Sequence, residues 1–136
     1  MVRPSISSRM MVAAQVSLIA RLASSGPVIL LPARFALVAC AGFSLGAWAA
    51  LTMGISRIRA HPEPADDAQL VTSGPYHYMK HPMYWSVLLV CGSWVAARPR
   101  RDRVINLLAL AAVLCAKMRR EEKLLAERFP DYALKS

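Results

Sequence analysis

From Phe35 to Ser56 the chain carries no charged side chain. As a helix this run covers ~33 Å, enough for the ~30 Å hydrocarbon core of a bilayer. Few soluble folds can absorb such a segment, so the run predicts a transmembrane helix over 35–56. Gly42, Gly46, Ala50 and Gly54 recur along it every fourth residue. Small residues at that spacing make a smooth ridge on which another helix can lie closely. Packing within the same chain is the simpler use of the ridge, and a dimer seam is the alternative. The sequence leaves the oligomeric state open.

Two shorter apolar runs follow, Met83–Ala97 and Val104–Ala116, joined by Arg98-Pro99-Arg100-Arg101-Asp102-Arg103. That polar, proline-containing link reads as the tip of a helical hairpin. Each run is only ~20–23 Å long as a helix and must extend beyond its apolar stretch to cross. The second can, because Lys117–Arg128 keeps helical composition without Gly or Pro. The N-terminus is less regular: Met10–Ala20 is apolar but short, Arg21 interrupts it, and Ser24-Ser25-Gly26-Pro27 breaks any helix before Val28–Leu31. Arg21 also fits badly just ahead of a signal-peptide cleavage site. The expectation is an irregular first membrane segment with an interfacial helix close behind.

The fold class expected is therefore all-α, a polytopic membrane helix bundle of about four crossings ending in a helical hairpin. It forms one domain over 1–136: an N-terminal membrane segment (1–34), a transmembrane helix (35–56), a loop (57–81) and the hairpin (82–128). Hydrophobic residues make up 56% of the chain, and mean hydropathy is +0.36, consistent with this class. The net charge of +9 would suit nucleic acid only if it were gathered in one groove. Instead the charges flank the apolar runs, as anionic headgroups and positive-inside topology require, so no nucleic-acid partner is expected. Cys40, Cys91 and Cys115 all lie in apolar runs and read as small buried hydrophobes, with no metal spacing.

Charge also orients the bundle. With four crossings, both termini and the 57–83 loop share one side, which carries eleven Lys and Arg. The other side has five: Arg34, Arg98, Arg100, Arg101 and Arg103. The bias makes the chain an integral, multi-pass protein with that loop and the chain's end in the cytoplasm.

Two polar clusters lie directly against apolar sequence at the open ends of the hairpin. In the first, Gly74-Pro75 makes a turn flanked by Tyr76 and Tyr78, and Pro82 suits the first position of a helix with His81 at its cap. The unpaired N–H groups of that first turn can hold an anion such as a ligand carboxylate. The second is Arg119-Arg120-Glu121-Glu122-Lys123. Each residue has a duller use. His81 could be a capping residue, the tyrosines interface anchors, and Glu121 and Glu122 a solvated face paired to Lys117 and its basic neighbours. His61 and His77 read as surface residues. Their conjunction matters more than any one of them, because antiparallel helices bring the two open ends together.

Thr72-Ser73-Gly74-Pro75-Tyr76, Lys80-His81-Pro82-Met83-Tyr84 and Glu121-Glu122-Lys123-Leu124-Leu125, followed by Phe129-Pro130-Asp131-Tyr132, resemble the isoprenylcysteine carboxyl methyltransferase family. These are integral membrane enzymes that use S-adenosylmethionine and are related to phospholipid methyltransferases. The resemblance covers roughly 68–132. It implies that Gln69, Leu70, Val71, Tyr76, His81, Pro82, Met83, Tyr84 and Glu121 line the cofactor site. It also implies that Lys117 stands where the family can have an arginine near the substrate carboxylate.

Lys80 and Lys117 each replace an arginine of the family, keeping charge but losing the planar fork. Family members continue past the position of Asp131-Tyr132 with a further tyrosine, basic residues and a proline that help close the site, whereas the sequence here runs to Ser136. Cofactor binding is expected to survive these departures better than the acceptor assignment. Methyl transfer to a carboxylate is direct displacement onto a group already ionised at neutral pH, so no general base is required. The expected activity is S-adenosylmethionine-dependent O-methylation of a carboxylate on a lipophilic, prenylcysteine-like acceptor. The alternatives are a phospholipid amine N-methyltransferase and a non-catalytic membrane subunit that kept the fold.

Overall fold

A computed structural model of the chain describes residues 6–24, 31–54 and 71–128. These form four helices, α1 (Ile6–Ser24), α2 (Ala33–Met53), α3 (Pro82–Ala97) and α4 (Arg101–Arg128), with a one-turn 3-10 helix at Gly74–His77. There is no strand among the described residues.

The helix α2 holds the charge-free run. Its first turn closes on the Pro32 carbonyl, which accepts from the Phe35 and Ala36 N–H groups, and Gly54 ends it by donating to Ala50 and Leu51. Leu37, Phe43 and Leu51 stand 72%, 74% and 71% exposed, so the helix keeps an apolar outer surface that water would not tolerate. Among the described residues, α2 alone is long and apolar enough to cross a membrane; α3 is apolar but shorter.

The small-residue ridge turns inward. A Cβ on Gly42 would come within 2.8 Å of Leu89 Cβ and 3.1 Å of the Ser86 carbonyl, and one on Gly46 within 2.8 Å of Ser86 Oγ, so α2 lies against α3 at a separation that Gly42 in particular makes possible. The ridge serves packing inside the chain. Gly54 lies outside that contact, with nothing within 4 Å of its would-be Cβ. In lipid there is little hydrophobic gain from pairing two apolar helices, so close backbone approach of this kind supplies the attraction.

α1 corrects the expectation of an irregular first segment. It is one continuous helix of 19 residues that runs past Arg21 to Ser24. Arg21 interrupts the hydropathy but not the backbone, because arginine is a good helix former and its side chain lies exposed. No Gly or Pro occurs between Ile6 and Ser24, and the Ser24 hydroxyl donates to the Arg21 carbonyl. The helix expected just after it falls mainly on residues outside those described. α1 runs antiparallel to α4: Ser7 meets Arg120, Gln15 meets Lys117, and Leu22 joins Leu110 and Leu114 in the core.

That core comprises Leu22, Cys91, Val95, Leu110 and Leu114, at the end of the bundle nearer the 98–100 link. Of the cysteines only Cys91 is buried; Cys40 and Cys115 are exposed on outward faces, correcting the reading of all three as interior. An apolar run in a membrane protein has a lipid face as well as a protein face, so hydropathy could not sort them. α4 continues without a break through Lys117–Arg128, which carries its polar turns beyond the apolar stretch to the open end of the hairpin.

Candidate active site

The open end is built from the 3-10 turn, the start of α3 and the polar extension of α4. Gly74 sets the turn: its φ is +57°, and a Cβ there would strike Thr52 Oγ1 at 2.6 Å. The turn is thus seated on the last residues of α2, with Pro75 buried beneath it. This seating separates the tyrosines. Tyr78 swings out, 78% exposed, edge-on to His77, whereas Tyr76 turns in and its hydroxyl lies 4.0 Å from Met53 Sδ. Burial and the negative charge of Glu121 push the Tyr76 phenol up to about 12.

His81 occupies the cap position of α3, yet its side chain makes no capping bond. The imidazole is 8% exposed and reaches α4 instead. Nε2 pairs with Glu122 Oε1 at 3.1 Å, and Nδ1 lies 3.8 Å from Glu121 Oε2. One position past Met83, Tyr84 donates its hydroxyl to Glu121 Oε2 at 3.1 Å, and its ring sits 5.6 Å from the His81 ring. The capping reading of His81 and the solvated-face reading of the glutamates both give way to contacts between helices. Burial raises the Glu121 carboxyl above the usual carboxylate range, with Glu122 adding to the shift and His81, Tyr84 and Lys117 opposing it.

Lys117 lies one helical turn before Glu121 and is 2% exposed. Its Nζ donates to Gln15 Oε1 at 2.6 Å and stands 5.4 Å from the centre of the Tyr84 ring. A buried ammonium is costly unless its hydrogens are satisfied, so these contacts hold it at a defined place.

Of the residues expected at the site, Tyr76, His81, Tyr84, Lys117 and Glu121 are brought together. Pro82 is buried as the first residue of α3, and Met83 is half-buried, its carbonyl accepting from Ser86 Oγ at 2.7 Å. Val71 is half-buried at the start of the described segment. Gln69 and Leu70 lie outside the described residues, as does Phe129-Pro130-Asp131-Tyr132. Lys80 is exposed. Two members of the cluster were not among the expected site residues. Glu122 is one, because the reach of the His81 ring across to α4 brings it to Glu122 at 3.1 Å. Gln15 had one signal, a lone amide inside an apolar run, which polar residues in membrane segments seldom occupy without use.

The match to known proteins falls on the same elements. A phospholipid methyltransferase family model matches residues 33–132, from the start of α2 through the whole of the glutamate cluster. The chain belongs to the phospholipid methyltransferase family. No curated protein and no solved structure matches it. The resemblance to isoprenylcysteine carboxyl methyltransferases is consistent with this family. Membership makes the chain a methyltransferase associated with the membrane, and the family generally uses S-adenosylmethionine. It leaves the acceptor open between a prenylcysteine and a phospholipid.

The donor set fits that cofactor. Its amino-acid portion carries an ammonium and a carboxylate, and its sulfur carries a positive charge. Glu121 and Glu122 would supply negative charge for the cationic centres. The Met83 and Tyr84 N–H groups precede the first α3 bond, Trp85 N–H to His81 carbonyl, so they have no partner within the helix and point where an anion could be held. The tyrosine rings add apolar faces that also attract cations. The two carboxylates beside the start of α3 shift the earlier expectation: side chains there favour cations, and only the backbone favours a carboxylate.

Proposed function

We propose that the chain is a membrane-embedded, S-adenosylmethionine-dependent methyltransferase that O-methylates a carboxylate on a lipophilic acceptor of the prenylcysteine kind. The observation that carries this reading is the buried Lys117 side chain, 2% exposed and one helical turn before Glu121, toward the apolar part of α4. A cation at that place attracts an anionic acceptor. His81, Pro82, Met83, Tyr84, Tyr76 and Glu121, with Gln69, Leu70 and Val71, form the cofactor side, and Glu122 joins them through His81.

When bound, S-adenosylmethionine supplies a methyl group activated by its sulfonium. The chain's own task is placement. The Glu121 and Glu122 carboxylates hold cationic groups on the α3 side, Lys117 holds the acceptor carboxylate on the membrane side, and Tyr84 lies between them. Because the acceptor is already ionised, no side chain need remove a proton, and alignment in a site closed to water carries the rate.

Four membrane crossings, with the site facing the cytoplasm, accompany this reading. The antiparallel run of α1 adds Arg21 to the sparser side, making the basic bias eleven to six. The family description favours a second reading, N-methylation of a phospholipid amine. That acceptor must first lose a proton, and His81, backed by Glu122 at 3.1 Å, is placed to take it. Methylation assays of the purified protein with a prenylcysteine analogue and with phosphatidylethanolamine decide. Turnover of the prenylcysteine is expected; turnover of the amine lipid alone would reject the carboxylate assignment. Binding of the cofactor's demethylated product with no turnover of either would mark a non-catalytic relative.

A further inference from the structure

His81 has a carboxylate at each ring nitrogen. Nε2 stands 3.1 Å from Glu122 Oε1 and Nδ1 stands 3.8 Å from Glu121 Oε2, with the side chain only 8% exposed. An ionised carboxylate can only accept hydrogen bonds, so the hydrogen of the shorter contact must sit on Nε2. In a neutral imidazole the other nitrogen is then a bare acceptor. Nδ1 thus turns a lone pair toward an oxygen that is itself an acceptor, and in a buried site such a pair is relieved by a proton between them. We infer that the cofactor-free site holds one extra proton, shared by His81 Nδ1 and Glu121 Oε2, and that a cation of S-adenosylmethionine displaces it on binding.

The groups around Glu121 bear on how firmly that proton is held. Burial is the largest influence and favours the uncharged carboxyl. On α4 itself Glu122 adds to this, while Lys117, one turn before, opposes it. From α3, His81 opposes it too, and the Tyr84 hydroxyl donates to Oε2 at 3.1 Å. The 3-10 turn brings Tyr76, α2 brings only the uncharged Met53 behind that ring, and α1 reaches the cluster through Gln15 on Lys117. The proton belongs to the His81–Glu121 pair and not to either residue alone. When a positive centre of the cofactor comes against Glu121, the O–H or N–H bond breaks, the proton passes to solvent, and the cofactor itself is unchanged. Glu122 is then a positioning residue, because by taking the Nε2 hydrogen it keeps Nδ1 bare. The dull alternative is that these contacts only tie α3 to α4, in which case binding releases no proton.

This inference rests on Glu121 belonging to the cofactor side, and the experiment keeps the two apart. S-adenosylmethionine is titrated calorimetrically into the full chain in detergent, in paired buffers of different ionisation enthalpy, which counts the protons released. In wild type about one proton should leave per cofactor bound at mildly acid pH. Affinity should accordingly rise with pH, by up to about tenfold per unit, and level off once the pair has already lost its proton. Glu121→Gln has no such proton, so its affinity should be lower and nearly independent of pH, with no release. Glu122→Gln still offers Nε2 a hydrogen-bond partner, but an amide donates as well as accepts. The ring can then present Nδ1–H to Glu121, and most of the release should be lost although the helices stay tied. Thermal unfolding confirms that the variants are folded; if Glu121→Gln binds too weakly to measure, the wild-type pH profile and Glu122→Gln decide. Wild-type binding without proton release, or undiminished release in either variant, overturns the inference and leaves the cofactor site in place. No binding to folded wild type removes the cofactor reading, and the inference with it.

Discussion

The His81 imidazole meets Glu122 across the open end of the α3–α4 hairpin, Nε2 to Oε1 at 3.1 Å, while the Tyr84 hydroxyl takes Glu121 at the same distance. Two adjacent glutamates are thus divided between two residues of one α3 turn. The His81 ring also approaches the other carboxylate, Nδ1 lying 3.8 Å from Glu121 Oε2. The division ties the first turn of α3 to the polar end of α4 at two points, and each point can be tested by itself.

Removing either tie should weaken the cofactor side. His81→Ala and Glu121→Ala are each expected to cost ~1–3 kcal/mol of cofactor affinity, because each leaves a partly buried group without its partner. Glu122→Ala should resemble His81→Ala, and the His81→Ala, Glu122→Ala pair should be strongly non-additive. Calorimetry on folded variants with the demethylated cofactor measures this. Unchanged affinity in both His81→Ala and Glu121→Ala would remove the site from this cluster.

Glu121 gives a pH signature. Its carboxyl is raised in the folded protein, chiefly by burial, so the folded state binds the proton more tightly than the unfolded state does. That contribution to stability is full below the ordinary glutamate value near ~4.3 and is lost as pH rises through the raised folded value. Glu121→Gln mimics the protonated form. Relative to wild type, its stability without cofactor should therefore improve from acid toward neutral pH, even as it binds cofactor less well. Thermal unfolding in detergent across that range tests the sign; a difference that is flat or runs the other way contradicts it.

Helix packing can be probed with a matched pair of glycines. Gly42→Ala would drive a Cβ to 2.8 Å from Leu89 Cβ and 3.1 Å from the Ser86 carbonyl, whereas at Gly92 a Cβ meets nothing within 4 Å. Both substitutions gain similar helix propensity. The difference between them isolates the clash, expected at ~1–3 kcal/mol against Gly42→Ala. Equal stability of the two variants would show that α2 and α3 are not held this closely.

Topology supplies the last expectation. Ser73, Arg100 and Lys123 are all exposed, so cysteines introduced there into a cysteine-free chain should be accessible to reagents. Positions 73 and 123 should label from the cytoplasmic side and position 100 from the other, as charge bias and the hairpin require. Labelling of 73 and 100 from one side would exclude the four-crossing arrangement.

Much of this protein can be read along its length, because the physics involved is local. A charge-free run, glycine spacing and a proline after a histidine act over one or a few helical turns. They were enough to place α2, the hairpin and the two polar clusters at its open ends. Local reasoning failed where a residue's use depends on which way its side chain turns. Arg21 lies within α1 because a surface charge costs a helix little, although it breaks a hydropathy plot. Cys40 and Cys115 face outward while Cys91 packs inside, a distinction that apolar composition cannot make. Whether His81 caps its helix or reaches for Glu122, which tyrosine turns inward, and that Gln15 closes on Lys117 from far along the chain are all matters of how four helices pack. Those contacts join residues from separate helices, and their energies exist only once the helices lie side by side.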